Sequence, residues 1–243
     1  MAETQHRILF EPSTKRVRAV IGDRTIADSL KPGLLLESGS RPAWYFPRAD
    51  IHADRLERSD KRTPSATKGD ATWWHLTLGP RRIEDAAWSY EAPPTALAAI
   101  TGALAFAAGA VDHWYEEDEE VFGHPRDPYH RVDTRLSHRR VRVRAGGEVI
   151  ADTKRAVFLF ETGHPVRYYI PQADVRTDLL TATKRSTTCP YKGDASYWTI
   201  NLGGRVIEDA VWAYLDPIAE CPQIKGLMSF YPDRVEAIEV DQG

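Results

Sequence analysis

The chain has 243 residues, 42% of them hydrophobic and 28% charged, which is enough for one large domain or two ordinary ones with buried cores. Its 32 lysine and arginine residues stand against 35 aspartate and glutamate residues, a net charge of -3. Because no excess of positive charge exists to attract a phosphate backbone, nucleic acid is not expected as a partner.

The cysteine count and the apolar runs bear on the compartment. Two cysteines, Cys189 and Cys221, are too few for a disulfide scaffold, and no charged-then-apolar segment with a cleavage site stands at the N-terminus. The longest apolar run, residues 96–110, falls short of the roughly 20 residues that a membrane-spanning helix requires. We therefore expect a cytoplasmic protein with no membrane partner.

An internal repeat determines the predicted domain organisation. The stretch TKGDATWWHLTLGPRRIEDAAWSY, residues 67–90, returns as YKGDASYWTINLGGRVIEDAVWAY, residues 191–214, at an offset of 124 positions. This register reaches back to His6, which aligns with His130. We predict a first domain over residues 1–113, an acidic and proline-containing connector over 114–129, and a second domain over 130–243, since each copy has an ordinary domain size. Residues related by this offset are called equivalent below.

The local patterns are mainly those of antiparallel strands. PTALAAITGAL after Pro94 indicates a short helix, and the connector WYEEDEEVFGHPRDPY indicates an extended segment, because like charges repel and proline cannot donate a backbone hydrogen bond. VRVRAGGEVIAD, residues 141–152, alternates apolar and polar residues around a Gly-Gly turn, which predicts a hairpin. Residues 157–170 give two further runs, and another hairpin surrounds Gly203 and Gly204. The predicted class is mainly β, with antiparallel hairpins and short helices.

Several motifs resemble one bacterial family. WYFPRADI, CPYKGDASYW, DAVWAY, the segment from Ile224 to Tyr231 and HPRDPYHRVD are similar to the tandem form of the family catalogued as domain of unknown function 427. The resemblance implies two β-tent-like domains, in which small antiparallel sheets meet at a steep angle; other β-tent proteins hold a ligand or zinc there. The first copy has SATKG where CPYKG is expected, so chemistry that needs the thiol is restricted to the second copy.

The strand that follows each Lys-Gly-Asp motif has two different faces, because successive side chains point to opposite sides. One face is apolar and is expected to be core. The other face begins with an aromatic residue and continues with polar groups, so it forms either a solvated surface or the wall of a ligand site. The expected core face carries Trp74, Leu76 and Leu78 or Trp198, Ile200 and Leu202, and the other face carries Trp73, His75 and Thr77 or Tyr197, Thr199 and Asn201.

The Lys-Gly-Asp motif itself has two interpretations. Glycine and aspartate favour a turn that leaves Lys68 and Lys192 in solvent, whereas a lysine beside Tyr191 and Tyr197 could contact an anion or a carbonyl. Cys189 lies near Lys192, which favours the thiolate, but no base partner is evident, and a buried thiol is the commoner state. Pairing with Cys221 is not favoured in a reducing compartment.

A second aromatic pair repeats before a proline in each copy. Tyr45 and Tyr169 repeat unchanged beside Trp44 and Tyr168, and since neighbours on a strand face opposite ways, one of each pair is expected in the core and the other in a cleft. Arg41 and Arg167 are placed to supply charge at the mouth. Asp50 and Asp174 are expected to cap short helical turns.

Other chemistry is disfavoured. A zinc site of the Cys-x-x-Cys type is absent from the sequence, and docking of the connector explains its histidine and aspartate pattern better than a metal does. Glu84 and Asp85 point apart as strand neighbours, as do Glu208 and Asp209, which makes them poor acid/base pairs. The family's nucleotidyltransferase label requires two carboxylates two residues apart for magnesium. Two residues after Asp50, however, stands His52 rather than a carboxylate. The residues of this histidine and aspartate pattern are His124, Asp127, His130 and Asp133.

Three hypotheses follow from these residues. The first is a protein that binds a small planar or anionic molecule in two aromatic-walled clefts. The second is an enzyme that uses Cys189, Tyr191 and Lys192 in the second copy, and the third is a scaffold whose acidic connector docks another protein. The ligand-binding candidates are Tyr45, Lys68, Trp73, His75, His130, Tyr169, Cys189, Tyr191, Lys192 and Tyr197.

Overall fold

The computed structural model describes residues 7–242, and it divides into two compact units. The first unit ends at Asp127 and the second begins at Pro128. Both are built of antiparallel strands with a few 3₁₀ turns, which confirms the predicted mainly β class. His6 lies outside the described residues.

The first unit contains three sheets, with strand orders β1-β4-β5, β11-β10-β2-β3 and β6-β7-β8-β9. Two short 3₁₀ helices, Arg48–Asp50 and Thr95–Ile100, connect strands. The strands are β1 (Ile8–Pro12), β2 (Val17–Ile21), β3 (Arg24–Ser29), β4 (Gly33–Glu37), β5 (Ala43–Tyr45), β6 (Arg55–Thr63), β7 (Ala71–Leu78), β8 (Arg81–Tyr90), β9 (Ala105–Phe106), β10 (His113–Glu116) and β11 (Glu119–Val121).

The second unit repeats this plan with sheets β12-β15-β16, β14-β13-β21 and β17-β18-β19-β20. Its 3₁₀ helices are Gln172–Asp174, Thr177–Leu179 and Pro222–Ile224. The strands are β12 (Val132–Ser137), β13 (Val141–Ala145), β14 (Glu148–Thr153), β15 (Ala156–Glu161), β16 (Arg167–Tyr169), β17 (Leu180–Cys189), β18 (Gly193–Leu202), β19 (Arg205–Pro217), β20 (Met228–Phe230) and β21 (Ala237–Val240).

Turn chemistry accounts for the hairpins. Gly146 and Gly147 join β13 to β14 with φ values of 58° and 81°, the left-handed values that a tight two-residue hairpin turn requires. Gly203 and Gly204 do the same between β18 and β19. The glycine pairs therefore set the register that the alternating sequences predicted.

Each unit has two apolar clusters, on opposite faces of its sheets. Ile200 and Leu202 lie in the larger cluster of the second unit, as predicted for the core face, whereas Tyr197 lies in the smaller one and is 4% exposed. The solvated-face interpretation is therefore wrong for Tyr197. Trp44 and Tyr45 enter different clusters, as expected for strand neighbours that face opposite ways, and both are buried.

Part of the acidic segment is a hairpin. Strands β10 and β11 pair with each other, and β10 pairs with β2 of the first unit, so the expectation of an extended connector is wrong over these residues. Glu116 accepts a hydrogen bond from Lys15, and Glu117 accepts one from the backbone N–H of Arg16. These partners offset the repulsion from which extension was predicted.

Asp50 and Asp174 do not cap helices. Each ends a 3₁₀ turn that has no side-chain cap, and each accepts a hydrogen bond from a hydroxyl on the preceding sheet, Ser29 at 2.6 Å and Thr153 at 2.7 Å. The predicted structural role holds, but the contact is a cross-link between turn and strand.

None of the helices among residues 7–242 has the length and apolar character needed to cross a membrane.

Candidate functional site

A cleft of about 290 Å³ opens in the first unit between β4–β5 and the facing side of β7–β8. Trp73 and Trp88 are direct cross-strand partners, as are Ala71 and Tyr90, so these four side chains share one sheet face. Tyr45 on β5 completes the aromatic wall. The short side chain of Ala71 leaves the space between the rings.

Hydrogen bonds hold the rings in place. The indole N–H of Trp88 donates to the Tyr45 hydroxyl at 3.0 Å, and the two rings meet edge to face at 88°. The indole N–H of Trp73 donates to Thr63 Oγ1 at 2.9 Å, and its ring lies 5.5 Å from that of Trp88. Because these polar edges are satisfied, the rings present apolar surface to the cleft, while the Lys61 ammonium, which does not line the cleft, lies over the Trp73 ring at 3.5 Å.

A buried ion pair lines the deeper part of this cleft. The Lys68 ammonium donates to Glu37, whose second carboxylate oxygen accepts from Thr67 Oγ1 at 3.0 Å. The side chains of Lys68 and Glu37 are only 10% and 15% exposed. The interpretation of Lys68 as a solvent-exposed turn residue is therefore wrong, because the chain after Ser65 folds back and places the ammonium under β4.

The second unit repeats these contacts at equivalent positions. Trp212 donates to the Tyr169 hydroxyl at 3.2 Å, and the Lys192 ammonium donates to Glu161 Oε2 at 2.5 Å. The Tyr197 hydroxyl and Thr187 Oγ1 share a hydrogen bond of 2.7 Å, as Trp73 and Thr63 do in the first unit. Both halves of the chain therefore contain the same arrangement of rings over a buried ion pair.

Glu161 has additional partners. His130 Nε2 lies 3.0 Å from Glu161 Oε1, and the Tyr191 ring packs on the His130 ring with centroids 4.3 Å apart. Burial raises the pKa of Glu161, but the hydrogen bond and charge of Lys192, helped by His130, outweigh it and hold this pKa below the usual 4.5. The structure thus brings His130, Tyr191 and Lys192 together around a carboxylate that stays ionised.

The buried tyrosines are kept neutral. Burial raises the pKa of Tyr45 and of Tyr169, although each accepts an indole N–H. Burial, followed by the charge of Glu37, raises the pKa of Tyr90 to about 12. These phenols are therefore neutral at neutral pH, and those of Tyr45 and Tyr169 accept hydrogen bonds from the tryptophans of the wall.

The two units differ around the second tryptophan of the wall. Tyr231 packs on Trp212 with ring centroids 4.4 Å apart, and Trp212 is 6% exposed. The equivalent of Tyr231 in the first unit is Ala107, and Trp88 is half-buried. The aromatic wall of the first unit is therefore the more accessible one.

The arginines are placed differently in the two units. Arg41 is exposed, lines the first cleft, and has no ion pair with any residue in the described part of the chain. In the second unit Pro165 stands at the equivalent position, and Arg167 lies over Trp212 at 5.8 Å. A positive charge is thus available at the mouth of the first cleft.

One candidate, His75, lies away from the first cleft. Its Nδ1 accepts the backbone N–H of Asp85 at 3.0 Å. Asp85 has a positive φ of 48°, and so does its equivalent Asp209 at 47°, which places both at strand bulges. Within residues 7–242, no three histidine, cysteine or acidic residues are grouped so that they could hold a metal ion.

The main residues that sequence reasoning missed are Glu37 and Glu161. Each lies 31 positions before its lysine, so no local pattern joins them. Their signal was available in the repeat, since both copies keep glutamate at this position after an apolar strand. Because both copies keep this glutamate and the lysine, the repeat itself suggests that the two residues form an ion pair.

Two stretches, residues 9–117 and 133–241, match the family model described as Domain of unknown function (DUF427). These stretches cover most of both units. No curated protein matches the chain.

Proposed function

The chain belongs to the family described as Domain of unknown function (DUF427), and we propose that it is a cytoplasmic protein whose first unit binds a small planar acid in the aromatic cleft. The observation that carries this proposal is that the fixed rings and Arg41, which has no ion pair among the described residues, line the same cleft. A flat ring packs against Trp73 and Trp88, and its acidic group meets the guanidinium.

The size of the cleft favours a small ligand. Its volume of about 290 Å³ is at the lower end of the range of roughly 300–1,000 Å³ that ligand sites span. A molecule of one or two fused rings fits this space better than a large cofactor does. The rings are positioned by hydrogen bonds before any ligand arrives, which limits the ordering entropy lost on binding.

The charges in the cleft favour an acid. Lys68 and Glu37 neutralise each other, so Arg41 supplies the net charge at the mouth. Guanidinium groups bind carboxylates and phosphates through two parallel hydrogen bonds. Ser40, which also lines the cleft, adds a hydroxyl beside this position.

The alternatives have less support. An enzyme that uses Lys192 would need its ammonium free, and Glu161 binds it. A scaffold based on the acidic hairpin has fewer free carboxylates than the sequence suggests, because Glu116 binds Lys15 and Glu117 binds the backbone N–H of Arg16. The binding hypothesis instead relies on the rings of Trp73 and Trp88 and on the guanidinium of Arg41, which line the cleft.

The test compares naphthoate with naphthamide, which has the same rings and no charge, by tryptophan fluorescence titration. We expect naphthoate to bind the full chain more tightly than naphthamide. Arg41→Ala should weaken naphthoate by about tenfold, or about 1.4 kcal/mol, and leave naphthamide unchanged, whereas Trp73→Ala should weaken both. Equal affinity of the native protein and Arg41→Ala for naphthoate would refute the proposed role of Arg41.

A further inference from the structure

The two cysteines of the chain lie on neighbouring turns of the second unit. Cys189 ends β17 and faces Gly193 on β18, and Gly193 in turn faces Pro217 on β19. The three residues therefore form one row across three strands. The chain leaves this row at Pro217 and reaches Cys221 four residues later.

The turns that carry the cysteines are joined by their backbones. The N–H of Ile218 donates to the Lys192 carbonyl at 3.2 Å. In the first turn the backbone N–H of Lys192 donates a hydrogen bond to the Cys189 carbonyl. In the second turn the backbone N–H of Cys221 donates one to the Ile218 carbonyl. Each cysteine thus lies three residues from the same backbone hydrogen bond.

Gly193 allows this close approach. Its φ is 100°, and a Cβ added there would lie 3.3 Å from the Ile218 nitrogen. Cys189 and Cys221 both belong to one apolar cluster with Tyr169 and Tyr214. The equivalent residues in the first unit are Ser65 and Leu97, so the thiol pair exists only in the second unit.

We propose that Cys189 and Cys221 are a redox-active thiol pair, which a low-molecular-weight disulfide converts into an intramolecular disulfide. The Cys189 thiolate attacks the reagent disulfide, forms a mixed disulfide and releases one thiol. The Cys221 thiolate then attacks the Cys189 sulfur, forms the protein disulfide and releases the second thiol. One reagent disulfide is reduced for each protein disulfide formed, and each protein thiol loses one proton.

The exposure of the two thiols sets this order. Cys189 is partly exposed, whereas Cys221 is 2% exposed, and burial raises the pKa of the Cys221 thiol. External reagents therefore reach Cys189 first. Cys221 reacts as the resolving thiol, because its turn is hydrogen-bonded to the turn of Cys189 and both side chains belong to one apolar cluster.

The test treats the full-length native protein with glutathione disulfide and follows it by intact mass and peptide mapping. We expect the native chain to lose two hydrogens with no glutathione retained. Cys221→Ala should keep one glutathione on Cys189, and Cys189→Ser, which introduces the residue of the first unit, should stay unmodified. Dithiothreitol should restore both thiols.

Other results would overturn the proposal. Three results for the native protein would show that the thiols do not pair. The protein could retain glutathione on Cys189, or it could form disulfide-linked dimers. It could also keep two free thiols under conditions in which Cys221→Ala is modified. A native protein and Cys221→Ala that both stay unmodified would also contradict it, because Cys189 would then not react. Circular dichroism of both variants checks that the fold is kept.

Discussion

The buried ion pair of the second unit provides the sharpest test of how the units are held together. Lys192→Met removes the charge that keeps Glu161 ionised and leaves this buried carboxyl group with His130 as its remaining described hydrogen-bond partner. The two side chains are only 9% and 11% exposed, and breaking a pair buried to this extent destabilises a protein by about 3–5 kcal/mol. For a unit of this size, each 1 kcal/mol lowers the Tm by roughly 4 °C.

A matched control exists in the same unit. Lys225 and Asp216 form an ion pair at 2.9 Å, but their side chains are 64% and 89% exposed. Exposed pairs contribute only about 0–1 kcal/mol, so Lys225→Met should change the Tm by a few degrees at most. The double variant Glu161→Gln with Lys192→Met should recover part of the loss, because it leaves no unpaired buried charge.

The assay is thermal unfolding, with hydrogen exchange of β15 and β18 to assign the transition to the second unit. The pH dependence adds a second readout. The Glu161 pKa is lowered on folding, so its contribution is complete above the unfolded pKa and is lost as the pH falls through the folded value. The difference in Tm between the native protein and Glu161→Gln should shrink as the pH falls below 4.5, the usual pKa of glutamate. A Lys192→Met effect no larger than that of Lys225→Met would refute the reasoning.

Three further predictions concern packing, acid stability and access to the cleft. Gly33→Ala should destabilise the first unit by about 1–3 kcal/mol in chemical unfolding, because the new Cβ would lie 1.9 Å from the Phe10 ring. Adding Phe10→Thr, which introduces the equivalent residue of the second unit, should restore stability. Asp174→Asn should remove a step in stability between about pH 4 and 2, because the hydrogen bonds of Arg155 and then Thr153 lower the pKa of Asp174 to about 2; unchanged acid unfolding would contradict this. Ala107→Tyr should weaken naphthoate and naphthamide alike without unfolding the protein, and unchanged titrations would show that the Tyr231 contact does not restrict access.

The repeat and the hairpins could be predicted because their signals are local. Glycine pairs at positions such as Gly146 and Gly147, set between alternating residues, determine both turn and register. The family resemblance rested on motifs in both copies, and the matching residues 9–117 and 133–241 confirm it. Local sequence was therefore sufficient to predict the mainly β fold class and the duplication of the chain.

The site could be predicted only in part. Three of the candidates, Tyr45, Lys68 and Trp73, line the first cleft, and their role in ligand binding stays a prediction. The carboxylate that neutralises Lys68 is 31 positions away in the sequence. Burial on both sheet faces could not be predicted from alternation alone, because an aromatic residue such as Tyr197 fits a half-buried or a buried face equally. Long-range contacts therefore decided which polar groups remain free.

Acidic clusters were the least predictable feature. The charges of residues 116–120 indicated repulsion and extension, yet they form a hairpin beside β2. Arg18 on β2, and Lys15 and the backbone N–H of Arg16 just before it, bind this hairpin. Those basic residues are about 100 positions earlier in the chain. A charge run is informative about conformation only once its counter-charges are located.

The most direct measurement of the central claim is a crystal structure of the chain soaked with naphthoate. The account predicts the rings of naphthoate against Trp73 and Trp88, with the carboxylate at the guanidinium of Arg41. Naphthoate bound elsewhere on the first unit, or an empty cleft at a concentration that saturates the fluorescence change, would contradict it.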